Sequence, residues 1–196
     1  MDFKSSKTRE NLMRAFAGES QARNRYTFAA TQAGKAKLPV IEAVFTFTAN
    51  QELAHAKIFY DHLSTLSGEK ITIDGSYPID ITDSISGLLR KAQNNEFEEH
   101  DPVYKEFAKV AKEEGFSAVA ASFSAIAEIE KTHGERFAHL AELMENDKLF
   151  LSDVECEWVC LNCGHIINAK GAPPACPVCH HEQGYFVRLT FAPYCA

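Results

Sequence analysis

Two motifs place a glutamate and a histidine three residues apart, Glu52 with His55 and Glu130 with His133. Residues with this spacing project from the same face of an α-helix, so each motif presents a carboxylate beside an imidazole. Oxygen and nitrogen ligands of this kind suit iron or manganese. Two such motifs on different helices, joined by further glutamates, indicate a dimetal site inside a helical bundle.

The apolar residues around both motifs predict that these side chains are buried. Heptad spacing puts Glu130 on one core line with Phe123 and Phe137, and Glu52 shares its line with phenylalanines seven residues to either side. The histidines fall on the second core line of each helix. The alternative is that both motifs belong to solvated helix faces, as single Glu-x-x-His matches in a glutamate-rich chain often do.

Three further glutamates fall on apolar lines of the remaining helices. Glu96 and Glu99 form a Glu-x-x-Glu motif on the third predicted helix, and Glu19 lies on the first. Buried carboxylates are costly unless they keep their protons or are compensated by cations. Each of the four predicted helices directs at least one glutamate inward. A pair of metal ions would compensate the charges of these buried carboxylates.

Other aromatic and histidine residues near these motifs have supporting or structural roles. Tyr26 and Tyr104 are candidates to donate hydrogen bonds to ligand carboxylates, with aromatic packing as the alternative. His62 lies on an apolar line but has no glutamate three residues before it, which favours a hydrogen-bonded histidine in the core or at its rim. His100 and His139 are predicted to be surface residues.

The dipeptide Asp101-Pro102 predicts an interruption of the third helix just after Glu99. Proline cannot donate a hydrogen bond to the preceding turn, and it disfavours helical backbone at the residue before it. We expect the helix to bend or restart here, which makes Glu99 a candidate mobile ligand. The alternative is that one helix ends and Asp101 caps the next.

A second candidate metal site lies near the C-terminus, where all six cysteines fall between Cys156 and Cys195. Four of them follow the spacing C-x2-C-x12-C-x2-C, which is typical of a tetrahedral four-thiolate site: Cys160, Cys163, Cys176 and Cys179. Iron here would carry single electrons, whereas zinc would only stabilise the fold. A dimetal site elsewhere in the chain favours iron, and Cys156 and Cys195 are predicted to be free thiols or packing residues.

The composition excludes several classes of partner. A formal net charge of −7 and a pI near 5.6 provide no basic surface for nucleic acid or for an anionic membrane. No apolar stretch is long enough to span a bilayer, and the N-terminus has no signal-peptide pattern. We therefore expect a cytoplasmic protein that acts on small molecules.

The chain divides into two parts by pattern. Residues 1–149 carry four long helical patterns with short links inside each pair and one long connection, 68–82, between the pairs, which is the topology of a ferritin-like bundle. Residues 153–196 are rich in cysteine, proline and glycine, with short alternating runs. The predicted architecture is an all-α ferritin-like four-helix bundle followed by a small β-rich metal-binding domain.

These residues resemble the rubrerythrins, in which a ferritin-like di-iron domain precedes a rubredoxin-like domain. The resemblance covers nearly the whole chain and is carried by the motifs ESQARNRY, NQELAH, NNEFEEHDPVY and EIEKTH. The tail WVCLNCGHIINAKGAPPACPVCHHEQGYF is similar to the family's short-spaced rubredoxin-like module. The resemblance implies a non-haem di-iron centre and a mononuclear iron bound by four cysteines.

The resemblance also implies a role for each di-iron ligand. Glu52 and Glu130 would bridge the irons, Glu19 would bind one iron, and Glu96 with His133 would bind the other. Glu99 and His55 would alternate on the first iron as its oxidation state changes.

The activity implied by the resemblance is reduction of hydrogen peroxide to water in protection against oxidative stress. Electrons would come from NAD(P)H through a separate donor protein, a reductase or a rubredoxin, since the chain has no nucleotide-binding glycine motif. The resemblance further implies a homodimer in which the four-cysteine iron of one subunit approaches the di-iron site of the other. A ferroxidase or iron-storage role, oxygen reduction at the same centre, and a non-catalytic zinc-stabilised protein are the alternatives.

Overall fold

Five helices form the larger part of the computed structural model, which describes residues 2–192. They are α1 (Lys7–Lys35), α2 (Pro39–His62), α3 (Ile85–Glu98), α4 (Tyr104–Glu113) and α5 (Ser117–Glu145). Helix α1 packs along α2, while α3 and α4 pack end to end along α5. The connection at 67–84, between α2 and α3, contains no helix or strand. This arrangement confirms the ferritin-like topology, with α3 and α4 in the place of the third predicted helix.

Local signals account for where the helices begin. Ser6 precedes α1, and its side chain accepts a hydrogen bond from the backbone N–H of Arg9. Ser84 caps α3 in the same way, through the N–H of Gly87. Such caps satisfy backbone donors that the first helical turn leaves unpaired. Helix α2 instead begins with Pro39, which has no N–H to satisfy.

The predicted interruption after Glu99 is confirmed. A π-helical turn spans Glu99–Val103 between α3 and α4, and Asp101 within it has extended backbone at φ −152° and ψ 115°. Pro102 disfavours helical backbone at Asp101, so the chain leaves the helix there and resumes it at Tyr104. The turn lets two helices in line with each other occupy one corner of the bundle.

Two apolar layers enclose the middle of the bundle. One contains Tyr26, Phe45 and Phe137, with the two phenylalanine rings 5.2 Å apart. The other contains Phe59 and Phe123, whose rings are 4.9 Å apart. Burial of such rings stabilises the bundle. The glutamates and histidines of the candidate dimetal site lie between the layers, where the aromatic rings keep bulk water away.

A three-stranded antiparallel sheet follows the helices, in the strand order β2-β1-β3. Its strands are β1 (Leu151–Cys160), β2 (Ile166–Gly171) and β3 (Phe186–Arg188). Its own core consists of five buried residues, Trp158, Cys160, Ala172, Cys176 and Phe186. Because two of the five are cysteines of the predicted metal site, this core is too small to hold the sheet together without further support.

The sheet is also packed against the bundle. Val159 and Val187 belong to the same apolar cluster as residues of α1, α2, α3 and α5. Gly184 approaches the loop between α1 and α2 so closely that an added Cβ would lie 2.2 Å from the carbonyl oxygen of Lys37. The sheet and the bundle therefore share apolar contacts. The domain boundaries at 1–149 and 153–196 stay predictions. Within residues 2–192, no helix combines the length and the apolar content needed to cross a membrane.

Candidate metal centres

Six of the seven predicted dimetal ligands meet in the middle of the bundle. Helices α1 and α3 contribute one glutamate each, and α2 and α5 contribute a glutamate and a histidine each. All six side chains are buried: Glu19, Glu52, His55, Glu96, Glu130 and His133. Burial of this many ionisable groups in one place requires that they compensate one another or a bound cation.

The first group of potential ligands surrounds His55. Its Nδ1 lies 2.9 Å from Oε1 of Glu130 and 3.2 Å from Oε2 of Glu52. Oε2 of Glu19 is 3.8 Å from the same nitrogen. Four side chains on three helices therefore direct donor atoms at one point.

The second group surrounds His133 in the same manner. Its Nδ1 lies 2.8 Å from Oε2 of Glu130 and 3.0 Å from Oε1 of Glu52, with Oε2 of Glu96 at 3.5 Å. Glu52 and Glu130 thus present one oxygen to each group. A carboxylate shared in this way can bridge two metal ions, whereas the glutamates of α1 and α3 each face a single group.

Unpaired buried atoms indicate that the pocket fits cations. Several ligand atoms have no hydrogen-bond partner: Oε2 of Glu19, Oε1 of Glu52, Oε2 of Glu96, both carboxylate oxygens of Glu130 and both ring nitrogens of His133. A buried polar atom without a partner costs about 1–3 kcal/mol, and more when the group is charged. Metal ions bound to these atoms would remove that cost, so the residues present fit a pair of metals.

Burial and mutual repulsion set the charges of the metal-free site. Burial raises the pKa of Glu19 and of Glu96 well above the ordinary value, and the neighbouring carboxylates raise it further. Burial alone would lower the pKa of His133, but the three glutamate carboxylates close to its ring raise it to about 12. His55 responds similarly, with a pKa of about 9. Without metal, the protonated histidines therefore provide positive charge beside the buried carboxylates. Metal binding must release these protons.

Two buried tyrosines hold the outer glutamates in place. The Tyr26 hydroxyl donates to Glu96, and the Tyr104 hydroxyl donates to Glu19. Each tyrosine reaches a carboxylate on a helix other than its own. The two hydrogen bonds therefore tie α1 to α3 and to α4, and they orient carboxylate oxygens toward the two ligand groups.

Replacing Tyr104 with phenylalanine is expected to weaken metal binding about 10–100-fold, because the Glu19 carboxylate loses the donor that orients it. The ring would keep its packing against Phe59, at a centroid distance of 5.5 Å, so the fold should be retained. Titration of the metal-free protein with ferrous iron against a competing chelator measures the change. Tyr60→Phe, at an exposed position, is the matched control. Unchanged affinity in the Tyr104 variant would show that the ring only packs.

Glu99 is the predicted ligand that lies outside both groups. It is half-buried in the π-helical turn. Its Oε1 lies beside Gly18, 3.9 Å from where a Cβ on that glycine would be. The same carboxylate lines a cavity under the connection at 67–84, together with Tyr77. No sequence signal singled out Gly18 or Tyr77, because only the path of the connection brings them to Glu99.

The other histidines have structural environments. His62 is half-buried and its Nε2 lies 2.9 Å from the Ser122 hydroxyl, as expected for a hydrogen-bonded rim histidine. His139 is exposed, as predicted. The prediction for His100 is wrong, because the π-helical turn packs on α5 and places the Nδ1 of His100 2.7 Å from the carbonyl oxygen of Ala127.

The four paired cysteines converge at one end of the sheet. Sγ of Cys160 lies 3.7 Å from that of Cys179, and Sγ of Cys163 lies 3.6 Å from that of Cys176. All four sulfurs fall within 4.8 Å of one another. A backbone hydrogen bond from His181 lowers the pKa of Cys179 to about 5, so a thiolate is favoured there before any metal binds. The arrangement fits one tetrahedral metal ion.

The two cysteine loops have the same backbone design. Gly164 donates its N–H to the carbonyl of Cys160, and His180 donates its N–H to the carbonyl of Cys176. Both residues have left-handed backbone, with φ of 76° and 61°. His180, for which the sequence suggested no role, thus occupies the turn position that glycine occupies in the first loop. Cys156 is a half-buried free thiol, and Cys195 lies outside the described residues.

Comparison with known proteins agrees with both centres. A family model described as rubrerythrin matches residues 10–141 and 87–159, and a model of the rubrerythrin rubredoxin-like domain matches residues 158–187. Rubrerythrin-1 of Clostridium acetobutylicum is 46% identical over 95% of this chain and 96% of its own length. The rubrerythrin of Nitratidesulfovibrio vulgaris is 37% identical over 95% of this chain and 96% of its own length.

A solved structure supports the same conclusion. Nigerythrin in a mixed-valence state superposes with a TM-score of 0.62 and 27% identity, covering 94% of this chain and 90% of that one. The carboxylate and histidine groups match the di-iron centre of rubrerythrins, and the cysteine cluster matches their Fe(Cys)4 centre. On its sequence, its fold and both metal centres, the chain belongs to the rubrerythrin family.

Proposed function

We propose that this protein is a peroxidase that reduces hydrogen peroxide to water at its di-iron site and thereby protects against oxidative stress. The observation that carries the proposal is the pair of ligand groups sharing Glu52 and Glu130, in a chain that also has its own Fe(Cys)4 module. Peroxide reduction needs two electrons, which a pair of ferrous ions supplies when bound. An iron-storage protein would not need a built-in one-electron centre.

The distances support an assignment of the ligands. Glu52 and Glu130 would hold both irons, because each directs one oxygen toward His55 and the other toward His133. Glu19 would hold the first iron. Glu96 and His133, whose donor atoms lie 3.5 Å apart, would hold the second.

In this proposal Glu99 and His55 would alternate in holding the first iron as its oxidation state changes. His55 is among the ligand groups, whereas Glu99 lies outside them in the π-helical turn. The extended backbone at Asp101 removes the helical constraint just beyond Glu99. A ligand on such a turn can move more readily than one in the middle of a helix.

The remaining residues prepare the site for the reaction. Tyr26 and Tyr104 hold the outer carboxylates, so the geometry exists before substrate arrives. The aromatic layers containing Phe45 and Phe59 exclude bulk water on two sides. Exclusion of water from the site limits side reactions and favours reaction with a bound peroxide.

Electron supply is the role we assign to the four-cysteine module. With iron bound, its four cysteines would hold a centre that takes up single electrons from NAD(P)H through a separate donor protein, a reductase or a rubredoxin, and passes them to the di-iron site. We further propose a cytoplasmic homodimer in which this module of one subunit serves the di-iron site of its partner. Proximity matters because electron transfer between metal centres requires a short separation.

Anaerobic stopped-flow spectroscopy of the fully reduced, iron-loaded protein tests the function. We expect hydrogen peroxide to oxidise both centres rapidly, with one peroxide consumed for two electrons, and to do so faster than oxygen. The visible thiolate-to-iron band reports the four-cysteine centre. Equal or faster oxidation by oxygen would favour oxygen reduction or ferroxidase activity, and absence of the thiolate band in iron-loaded protein would favour a zinc-stabilised module.

A further inference from the structure

A cavity of ≈ 230 Å³ lies between the helices and the connection at 67–84. It is partly open to solvent. By this measure of volume a cavity needs only about 10–15 Å³ to hold one water molecule, and hydrogen peroxide is only slightly larger than water. The cavity therefore offers more room than hydrogen peroxide alone would fill.

Two residues beside the ligand groups line this cavity. Glu99 and Tyr104 both line it. The Tyr104 hydroxyl donates to Glu19, one of the proposed iron ligands. One part of the cavity lining is thus formed by the predicted ligand Glu99 and by Tyr104, the hydrogen-bond partner of Glu19.

The walls of the cavity differ in polarity. Ala15, Val103 and Phe107 contribute apolar side chains to the lining, whereas Arg14, Glu98 and Glu99 contribute charged ones. Hydrogen peroxide gains nothing from apolar walls, but an alkyl group buried there gains free energy in proportion to its area. A lining with both apolar and charged side chains suits a molecule with one apolar end and one peroxide end.

Tyr77 and Gly18 set the width of the cavity. The Tyr77 hydroxyl donates to the carbonyl of Arg14 at 3.0 Å, which holds the connection across α1. Its ring packs so close to Gly75 that a Cβ there would lie 2.9 Å from the ring. On the opposite side, a Cβ at Gly18 would lie 3.7 Å from the ring and 3.9 Å from the Glu99 carboxylate. The gap between ring and carboxylate therefore depends on the missing side chain of Gly18.

We propose that this cavity binds small alkyl hydroperoxides, ROOH, as additional substrates, with Gly18 and Tyr77 limiting the size of R. The inference rests on the proposed peroxide reduction and extends it to a substrate class. The O–O bond breaks, the two oxygens take up one electron from each of two ferrous ions and two protons from solvent, and the products are ROH and water. The alkyl group lies against the apolar wall while the peroxide end faces Glu99.

The test compares hydrogen peroxide with tert-butyl hydroperoxide in single-turnover oxidation of the reduced, iron-loaded protein. Wild type should react with both. In Gly18→Val the rate with tert-butyl hydroperoxide should fall about tenfold or more relative to the rate with hydrogen peroxide, since one misplaced methyl group in a pocket has an effect of this order. Gly18→Ala is the matched control, because its Cβ makes only ordinary contacts. Adding Tyr77→Ala to Gly18→Val should restore the ratio.

A second readout does not depend on turnover. Crystals of the iron-loaded protein are soaked in tert-butanol, the alcohol that the reaction would form. The alcohol should occupy the space between Tyr77 and Glu99 in wild type and be absent from Gly18→Val.

The outcomes separate the two proposals. If hydrogen peroxide does not oxidise the irons, the proposed peroxidase function fails, and the soaked crystals still decide whether the cavity binds an alkyl alcohol. If hydrogen peroxide reacts but tert-butyl hydroperoxide does not, the substrate class is wrong. Equal loss of both rates in Gly18→Val, or an empty cavity in soaked wild-type crystals, would also overturn the inference.

Discussion

Glu130→Ala is expected to remove both irons from the bundle while the four-cysteine iron remains. Its two oxygens face different histidines, His55 at 2.9 Å and His133 at 2.8 Å, so one substitution takes a donor from each metal. Loss of an outer partner of a metal ligand typically lowers affinity or activity 10–100-fold. Loss of a shared ligand should exceed about 100-fold in peroxide reduction.

Iron analysis and peroxide kinetics together measure this effect. The variant should keep the visible thiolate-to-iron band and lose rapid oxidation by peroxide. Glu128→Ala is the matched control, since Glu128 lies on the same helix with its side chain 66% exposed, and it should behave like wild type. If the Glu130 variant still bound two bundle irons tightly, Glu130 would not be a bridging ligand.

Cys176→Ser is expected to disconnect the di-iron site from its electron supply. The sulfur of Cys176 belongs to the four-thiolate cluster, and its side chain is also one of the five residues in the core of the sheet. Zinc bound at structural sites of small peptides contributes about 10–16 kcal/mol to folding, and metal in this four-thiolate site should likewise stabilise the sheet. The variant should therefore lose the iron and much of the order of the sheet, while the helices remain folded.

Two measurements distinguish these consequences. Hydrogen exchange should become fast in 151–192 and stay slow in α1, α2 and α5. Turnover with NAD(P)H and a donor protein should be lost, whereas a single oxidation of the chemically reduced di-iron site by peroxide should persist. Cys156→Ser, which alters a cysteine outside the cluster, should leave both properties intact. Normal turnover in the Cys176 variant would mean that electrons reach the di-iron site by another route.

Local patterns in the sequence determined which residues could be ligands. The three-residue spacing in Glu52–His55 and Glu130–His133 puts each pair on one face of a helix whatever the rest of the chain does. The spacing of the cysteines is equally local, because each loop is closed by its own backbone hydrogen bonds. Pro102 interrupts the helix for a reason that depends only on its ring and its missing N–H.

Relations between helices were decided only by the tertiary structure. Periodicity specifies the buried face of each helix, but not how far one helix is shifted along another. For this reason the sequence could not show that Tyr26 donates to Glu96 or Tyr104 to Glu19, nor that Glu99 lies outside the ligand groups.

The cavity beside Glu99 is the extreme case. Tyr77 lines it from the connection at 67–84, which has no helical or strand periodicity. Its width depends on Gly18, which lies on helix α1. Helical spacing and cysteine loops are encoded within a few residues of the chain, so sequence alone determined them. The shared carboxylates, the tyrosine contacts and the cavity depend on side chains far apart in the chain, whose distances exist only once the bundle has packed.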